Sequence, residues 1–84
     1  MTQTPKIFDF DAVMDGRKDN NIPFTDLQKL LDVMGFSYRV KGSHYVYWQE
    51  GIAEILNIQS DSGKAKAYQV KQVRSVILKY GLKI

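Results

Sequence analysis

The six residues from 39 to 44 bring together two cations, a glycine, a hydroxyl and the one imidazole of the sequence. Glycine allows a backbone to approach a ligand closely, and the N–H groups of a turn can hold a phosphate. Cleavage of RNA through its ribose 2′-OH needs a base for that proton, donors that neutralise the phosphorane and a proton for the leaving oxygen. An imidazole exchanges protons near neutral pH, so His44 is the candidate base. The candidate phosphate ligands are Arg39, Lys41, Gly42 and Ser43.

The sequence does not single out the proton donor that would partner His44. The candidates are Lys41, Ser43, Tyr45 and water. A histidine standing alone at the start of a strand is also often structural or simply exposed, so the residue types by themselves leave that interpretation open. No pair of carboxylates offers a second catalytic group. Four aspartates gather near the N-terminus, where a solvated acidic surface is the simpler interpretation. They are Asp9, Asp11, Asp15 and Asp19.

The composition excludes several classes of site. The 84 residues contain no cysteine and one histidine, which excludes disulfide scaffolds, thiolate zinc sites, thiol nucleophiles and multi-histidine metal sites. We therefore expect no metal and no small-molecule cofactor. No apolar run approaches the roughly 18–20 residues that span a bilayer, and residues 1–6 lack the pattern of a signal peptide. We expect a cytoplasmic protein with no membrane partner.

Charge is divided unevenly along the chain. Residues 1–63 carry six Lys/Arg and nine Asp/Glu, a balance of −3, whereas residues 64–84 carry six Lys/Arg and no acid, a balance of +6. Such a basic segment favours a polyanionic partner. Lys64 and Lys66 precede the last helix, whose N–H groups and dipole attract phosphate, so both are candidate RNA ligands. The alternative is a solvated loop. Further along that helix we expect ordinary solvent-facing cations. They are Lys71, Arg74 and Lys79.

Hydrophobic spacing predicts three helices. Apolar residues over 7–14 indicate a short first helix, followed by a polar loop over 15–23. The second helix is expected over 26–34. The spacing of Thr25 and Gln28 is that of a capping box, and Gly35 ends the apolar run. A third helix is expected over 68–80, with Gly81 at its C-terminus.

Between the second and third helices the hydrophobic period changes to two. Alternation over 36–41 predicts a half-buried strand with Tyr38 in the core, and Gly42 and Ser43 predict a tight turn. Strands follow over 44–49 and 54–59, and a loop over 60–66. The predicted fold is α+β in two layers, a three-stranded antiparallel sheet with helices packed on one face, plus the short N-terminal helix. This α-β-β-β-α order is that of double-stranded-RNA-binding domains.

The second strand presents alternate residues to opposite faces of the sheet, so only one set can face the helices. If Tyr45 and Tyr47 face the helices, Trp48 shares the open face with His44 and could stack on a base. If Trp48 faces the helices, it belongs to the core and His44 lies toward the helix layer, unless His44 is part of the turn. Because a large aromatic in a small protein is more often buried, we expect Trp48 in the core.

Three groups of residues resemble a known family. Gly42-Ser43-His44 lies between a basic and an aromatic strand, a helix ending in Gly-Phe covers 27–36, and Lys64-Ala-Lys-Ala-Tyr-Gln69 comes later. Over about residues 24–82 this order resembles the HicA toxins, the mRNA interferases of bacterial HicAB type II toxin–antitoxin systems. The chain would then comprise an N-terminal extension, 1–23, and a HicA-like domain with the double-stranded-RNA-binding fold, 24–84.

The resemblance implies an activity and a partner. It implies an endoribonuclease that cleaves mRNA, in which His44 matches the catalytic histidine, and a HicB-type antitoxin protein that binds and neutralises it. Two other functions remain open. One is a non-catalytic RNA-binding module of the same fold, and the other is a protein-interaction domain that binds its partner through an exposed sheet edge.

Overall fold

Helices cover one face of a four-stranded antiparallel sheet, so the predicted α+β class is confirmed. The structure is a computed structural model and describes residues 10–83. In chain order the elements are α1 (Phe10–Asp15), a 3-10 turn (Asp19–Asn21), α2 (Phe24–Val33), β1 (Ser37–Lys41), β2 (His44–Trp48), β3 (Leu56–Asp61), β4 (Lys64–Ala65) and α3 (Ala67–Tyr80). The strands lie side by side in the order β1-β2-β3-β4. Positions 7–9 of the predicted first helix lie outside the described residues.

The core lies between the helices and the inner face of the sheet. Tyr47 of β2 and Leu56 and Ile58 of β3 point into it, because alternate strand residues face opposite sides. The predicted helical spacing is confirmed, since the apolar positions of α2 and α3 are buried against these side chains. The most deeply buried residues of these two helices are Leu27, Leu30, Leu31, Val70 and Val73. Gly81 ends α3 in the left-handed conformation that the sequence predicts.

β1 is exposed along its whole length, whereas its alternation predicts a half-buried strand. Tyr38 is 51% exposed and Val40 is 53% exposed, so the placement of Tyr38 in the core is wrong. The reason is that β1 is the edge strand, while α2 and α3 pack against β3. Tyr38 instead stacks on Tyr47, with 5.1 Å between the ring centroids. Only Phe36, immediately before β1, is buried.

α2 begins at Phe24, two residues earlier than predicted. The capping box predicted for Thr25 and Gln28 is absent. Thr25 lies in the first turn, and the N-cap position is held by Pro23 without a side-chain hydrogen bond. A tertiary contact explains the shift, because the N–H of Phe24 donates to the carbonyl of Gly63 at 2.9 Å. Backbone pairing with the end of the sheet therefore sets where this helix starts.

The segment 60–66, predicted as a loop, contains a tight hairpin and a fourth strand. Ser62 (φ +54) and Gly63 (φ +84) form its two-residue turn, and positive φ at both residues is the pattern of a type I′ hairpin. β4, which follows, is too short to show an alternating pattern in the sequence. The N–H of Ala65 donates to the carbonyl of Ile22 at 2.9 Å, so the chain before α2 pairs with the outer side of β4.

Arg74, predicted to face solvent, ties the N-terminal segment to α3. Its guanidinium donates to both carboxylate oxygens of Asp19, at 2.9 and 3.1 Å, and to the carbonyl of Val13 at 2.8 Å. Asp19 is 7% exposed, so the prediction of a solvated aspartate is wrong at this position. The planar guanidinium carries enough donors to hold the 3-10 turn and the end of α1 against α3 at once.

We expect Asp19→Asn to lower the free energy of unfolding by about 3 kcal/mol, because it leaves the Arg74 charge unpaired in a largely buried site. This is the lower end of the range for buried pairs, since the side chain of Arg74 keeps 19% of its surface exposed. Urea denaturation followed by circular dichroism measures the change. Asp15→Asn is the matched control, because Asp15 pairs with an exposed arginine and should change stability by less than about 1 kcal/mol.

The same pair predicts a dependence on pH. The hydrogen bonds from Arg74, opposed by burial, hold the pKa of Asp19 below its ordinary value of 3.8. Ionised Asp19 therefore contributes its full stabilisation at pH values above 3.8. This stabilisation is lost as the pH falls through the lower pKa that Asp19 has in the folded protein. The stability difference between wild type and Asp19→Asn should therefore shrink in acid. A difference that stays constant from pH 7 to pH 2 would contradict the role given to this pair.

Candidate nucleic-acid interface

The face of the sheet turned away from the helices carries His44. Tyr45 and Tyr47 point to the helices, and Tyr45 meets the ring of Phe24 edge-on with 5.3 Å between centroids. The alternation therefore places His44 and Trp48 together on the other side, which we call the open face. Trp48 is 41% exposed, so its prediction as a core residue is wrong. Of the two arrangements that the sequence left open, the structure shows the first.

The pairing of the strands brings several predicted site residues onto the open face. Lys41 lies directly opposite His44, and Arg39 lies opposite Val46 on the same face. Lys64 pairs with Asp61 and also falls on this face. From the strand spacing and the rise per residue, its Cα lies roughly 12 Å from that of His44. Within the four strands, Asp61 is the one carboxylate on this side of the sheet.

His44 is held by a residue that the sequence did not indicate. Its Nδ1 lies 3.1 Å from Oδ1 of Asn57 on β3. An amide oxygen only accepts hydrogen bonds, so this contact favours the tautomer of the neutral ring that has its proton on Nδ1. The other ring nitrogen, Nε2, then keeps a lone pair on an exposed side chain. This is the arrangement that a general base requires, because the second nitrogen of the ring is oriented by a fixed partner.

The predicted turn at Gly42 and Ser43 is confirmed, since Lys41 and His44 pair on either side of it. Gly42 has φ +63, a conformation that favours glycine. Neither amide N–H of the turn donates to an acceptor among residues 10–83, so both are available to an anion beside His44. The hydroxyl of Ser43 accepts a hydrogen bond from Nε2 of Gln59 at 3.2 Å.

Gln59 links this turn to the start of α3. Its backbone N–H donates to Oε1 of Gln69 at 2.9 Å, and Gln69 is 3% exposed. This contact lies where β4, which ends at Ala65, no longer pairs with β3. Lys66 follows at the N-cap position of α3, where no side chain caps the helix and no acid occupies the first turn. The N-terminus of α3 is thus fixed at the end of the sheet that carries the turn.

The fold places the three candidate proton-donor side chains differently with respect to His44. Tyr45 points to the inner face, so the sheet lies between its hydroxyl and His44. Ser43 accepts a hydrogen bond from Gln59 and keeps its own hydroxyl proton, but an uncharged serine hydroxyl is a weaker proton donor than the ammonium group of a lysine. Lys41 shares the open face with His44 and forms no ion pair with a described carboxylate. Of the three side chains, Lys41 is therefore the best placed.

Two residues of the interface, Asn57 and Gln59, were missed by sequence reasoning. The pattern that would have found them is the alternation of polar and apolar residues along β3, in which Leu56 and Ile58 point inward. That alternation puts both amides on the open face, where they meet the histidine and the turn. The cross-strand register was also needed, since a shift of one residue turns both amides to the core.

Other charges are engaged away from this interface. Lys79, predicted to face solvent, pairs with Glu54 at 2.8 Å, and the hydroxyl of Tyr80 donates to the same carboxylate at 2.7 Å. The hydrogen bond from Lys79, and then that from Tyr80, lower the pKa of Glu54. With Arg74 paired to Asp19, two of the cations of α3 are neutralised. Of the three cations of α3, only Lys71, in the first half of the helix, forms no ion pair with a described carboxylate.

Comparison with protein-family models, curated proteins and solved structures found no match for this chain. Within residues 10–83, no helix is long and apolar enough to cross a membrane. In the same part of the chain, no three His, Cys, Asp or Glu side chains gather as metal ligands would. The function of the open face is therefore inferred from its residues and their geometry.

Asn57→Ala should change the proton distribution on the imidazole of His44, because it removes the acceptor that fixes the proton on Nδ1. We expect the neutral ring to shift from the Nδ1–H toward the Nε2–H tautomer. The chain has one histidine, so a ¹⁵N–¹H spectrum of the ring reports this site alone. Asn20→Ala is the matched control, since Asn20 is an exposed asparagine that forms no hydrogen bond with His44. An unchanged tautomer in Asn57→Ala would show that this hydrogen bond does not orient the ring.

Proposed function

We propose that the chain is a metal-independent endoribonuclease that cleaves mRNA, the toxin of a HicA-type toxin–antitoxin pair. One observation carries the proposal. An exposed histidine, oriented through Nδ1, lies directly opposite a lysine and next to a turn with two available N–H groups. The resemblance of residues 24–82 to HicA toxins supports the same function. The order of α2, the strands β1 to β3 and α3 is also similar to that of double-stranded-RNA-binding domains, although the short β4 adds a fourth strand here.

The proposed reaction uses a nucleophile that RNA itself carries. Nε2 of His44 takes the proton of a ribose 2′-OH, and the 2′ oxygen attacks the adjacent phosphorus. Lys41 and the N–H groups at Gly42 and Ser43 neutralise the phosphorane charge. The bond to the 5′ oxygen then breaks, and that oxygen takes a proton from Lys41. The products are a 2′,3′-cyclic phosphate and a 5′-hydroxyl end, so no metal is needed to activate water.

Neighbouring phosphates of the strand would be held by the remaining cations of the interface. Arg39 lies two residues before Lys41 in β1, on the same open face. Lys64 lies on this face in β4, two strands away from His44 in β2. Lys66 adds its charge to the uncapped N-terminus of α3. Together they extend the phosphate contacts on either side of the scissile bond.

A second candidate function is protein binding at the free edge of β1. Among the described residues β1 pairs only with β2, so its outer backbone groups can accept another strand. Exposed Tyr38 and Val40 flank this edge, and a groove of about 290 Å³ lies between Tyr38 and α2. The two functions are compatible. A HicB-type antitoxin bound here would lie beside Arg39 and Lys41 and could block RNA.

His44→Ala should lower the rate of RNA cleavage by about 10²- to 10⁴-fold, the usual contribution of a positioned acid or base. Its expression in a bacterial host should leave growth and mRNA intact, whereas wild type arrests growth. Cleavage of a labelled RNA by the purified proteins measures the rate, and circular dichroism checks the fold. Val40→Ala, an exposed strand residue on the opposite face, is the control and should cleave normally. Equal rates for wild type and His44→Ala would rule out His44 as the base.

The lysines before α3 should determine part of the salt dependence of RNA binding. For a single strand, the slope of log affinity against log salt is about −0.7 per phosphate contacted. The double substitution Lys64→Ala and Lys66→Ala should therefore reduce the slope by about 1.4. Binding is measured in the His44→Ala background so that the RNA stays intact. Lys18→Ala with Lys29→Ala removes the same charge elsewhere and should leave the slope unchanged. Equal slopes in all three proteins would contradict phosphate contacts at this segment.

A further inference from the structure

An apolar patch on the open face has no role in the core. The single tryptophan of the chain, Trp48, is 41% exposed there, and Ile55 is 60% exposed. The core does not need these two side chains. Their neighbours in the chain, Tyr47 and Leu56, point to the helices and are buried there. Burying a tryptophan would stabilise a small domain, so its position on the solvent side indicates another use.

The patch borders a groove whose lining includes two planar side-chain groups, an indole and a guanidinium. The groove has a volume of about 250 Å³ and is lined by Arg39, Val46, Trp48 and Ile55. This lies below the roughly 300–1,000 Å³ of pockets for drug-sized ligands, a size suited to one flat ring system. An indole and a guanidinium are both groups on which nucleobases stack. Val46 lies across from Arg39 and separates Trp48 from His44 along β2.

The charge around the groove selects the class of occupant. Arg39 and Lys41 pair with no carboxylate among the described residues, and the one acid of the strands on this face lies at its far side, on β3. A partner with flat apolar rings and negative charge therefore fits best. A strand of RNA presents both, since its phosphates meet the cations while a base enters the groove.

From these observations we infer that the groove between Arg39 and Trp48 binds one unpaired base next to the scissile phosphate, which makes single-stranded RNA the substrate. The inference rests on the proposed function and names its substrate class. Trp48 is four residues from His44, about 13 Å along β2, and Val46 lies midway. A base inside a duplex is stacked between its neighbours and cannot enter the groove. A preference of this protein for single-stranded RNA thus differs from the duplex binding of the double-stranded-RNA-binding domains that its fold resembles.

The test uses the fluorescence of Trp48 in the His44→Ala protein, which keeps the RNA intact. An eight-nucleotide single-stranded RNA should quench the emission, because a stacked base contacts the indole. The same RNA annealed to its complement should not, nor should a strand of equal length without bases. With fluorescein-labelled RNA, Trp48→Ala should weaken binding about 5- to 150-fold, and Trp48→Phe should retain most of the affinity.

Tyr38→Ala is the matched control, since it removes an exposed aromatic from the opposite face of the same sheet. It should bind the single strand as tightly as the parent protein. Equal affinity of Trp48→Ala and its parent, or equal quenching by duplex and single strand, overturns the inference. Emission that responds to no RNA also overturns it.

The outcomes separate this inference from the proposed function. If wild type cleaves RNA and Trp48→Ala cleaves and binds equally well, the nuclease stands and the base site fails. If wild type cleaves no RNA but single strands still quench Trp48, the nuclease fails and the groove remains a binding site for an unpaired base.

Discussion

The orientation of β2 is the constraint on which the rest of this structure depends. Once the rings of Tyr45 and Tyr47 pack against the helices, every second residue of the strand must face solvent. His44 and Trp48 are placed on the open face by this packing, not by any interaction of their own. The opposite orientation would bury the imidazole and leave two tyrosines in water. Burial of apolar surface on one side of the sheet therefore determines which side groups are presented to a ligand.

The sheet has two unlike edges, and this asymmetry shapes what the protein can bind. The edge at β4 is covered by the chain that precedes α2, through the hydrogen bonds of Phe24 and Ala65. Arg74 fixes the same segment to α3 by its pair with Asp19. The edge at β1 has no such cover among the described residues. The residues before α2 thus complete one edge of the sheet, while the edge at β1 stays open to another strand among the described residues.

Several features could be predicted because they depend on neighbours in sequence. The helical spacing of α2 and α3, the turn at Gly42 and the left-handed Gly81 all follow from local preferences. The position of His44 at the start of a strand belongs to this group. The errors share a different cause. The spacing of Thr25 and Gln28 predicts a cap that the backbone pairing of Phe24 with Gly63 makes unnecessary. The segment that contains β4 is predicted as a loop because a strand of two residues has no period.

The sequence by itself determined the α+β class, the inventory of chemical groups in residues 39–44, and the absence of cysteine and of a histidine cluster. These properties depend on residue type and on spacing within single elements. Only the tertiary structure decided that Asn57 orients the imidazole, that Lys41 lies opposite it, and that Trp48 faces solvent. Each of these depends on the register between strands and on which face the helices cover. Both are set by packing among residues far apart in the chain, because a pleated strand offers two equivalent faces until one is buried.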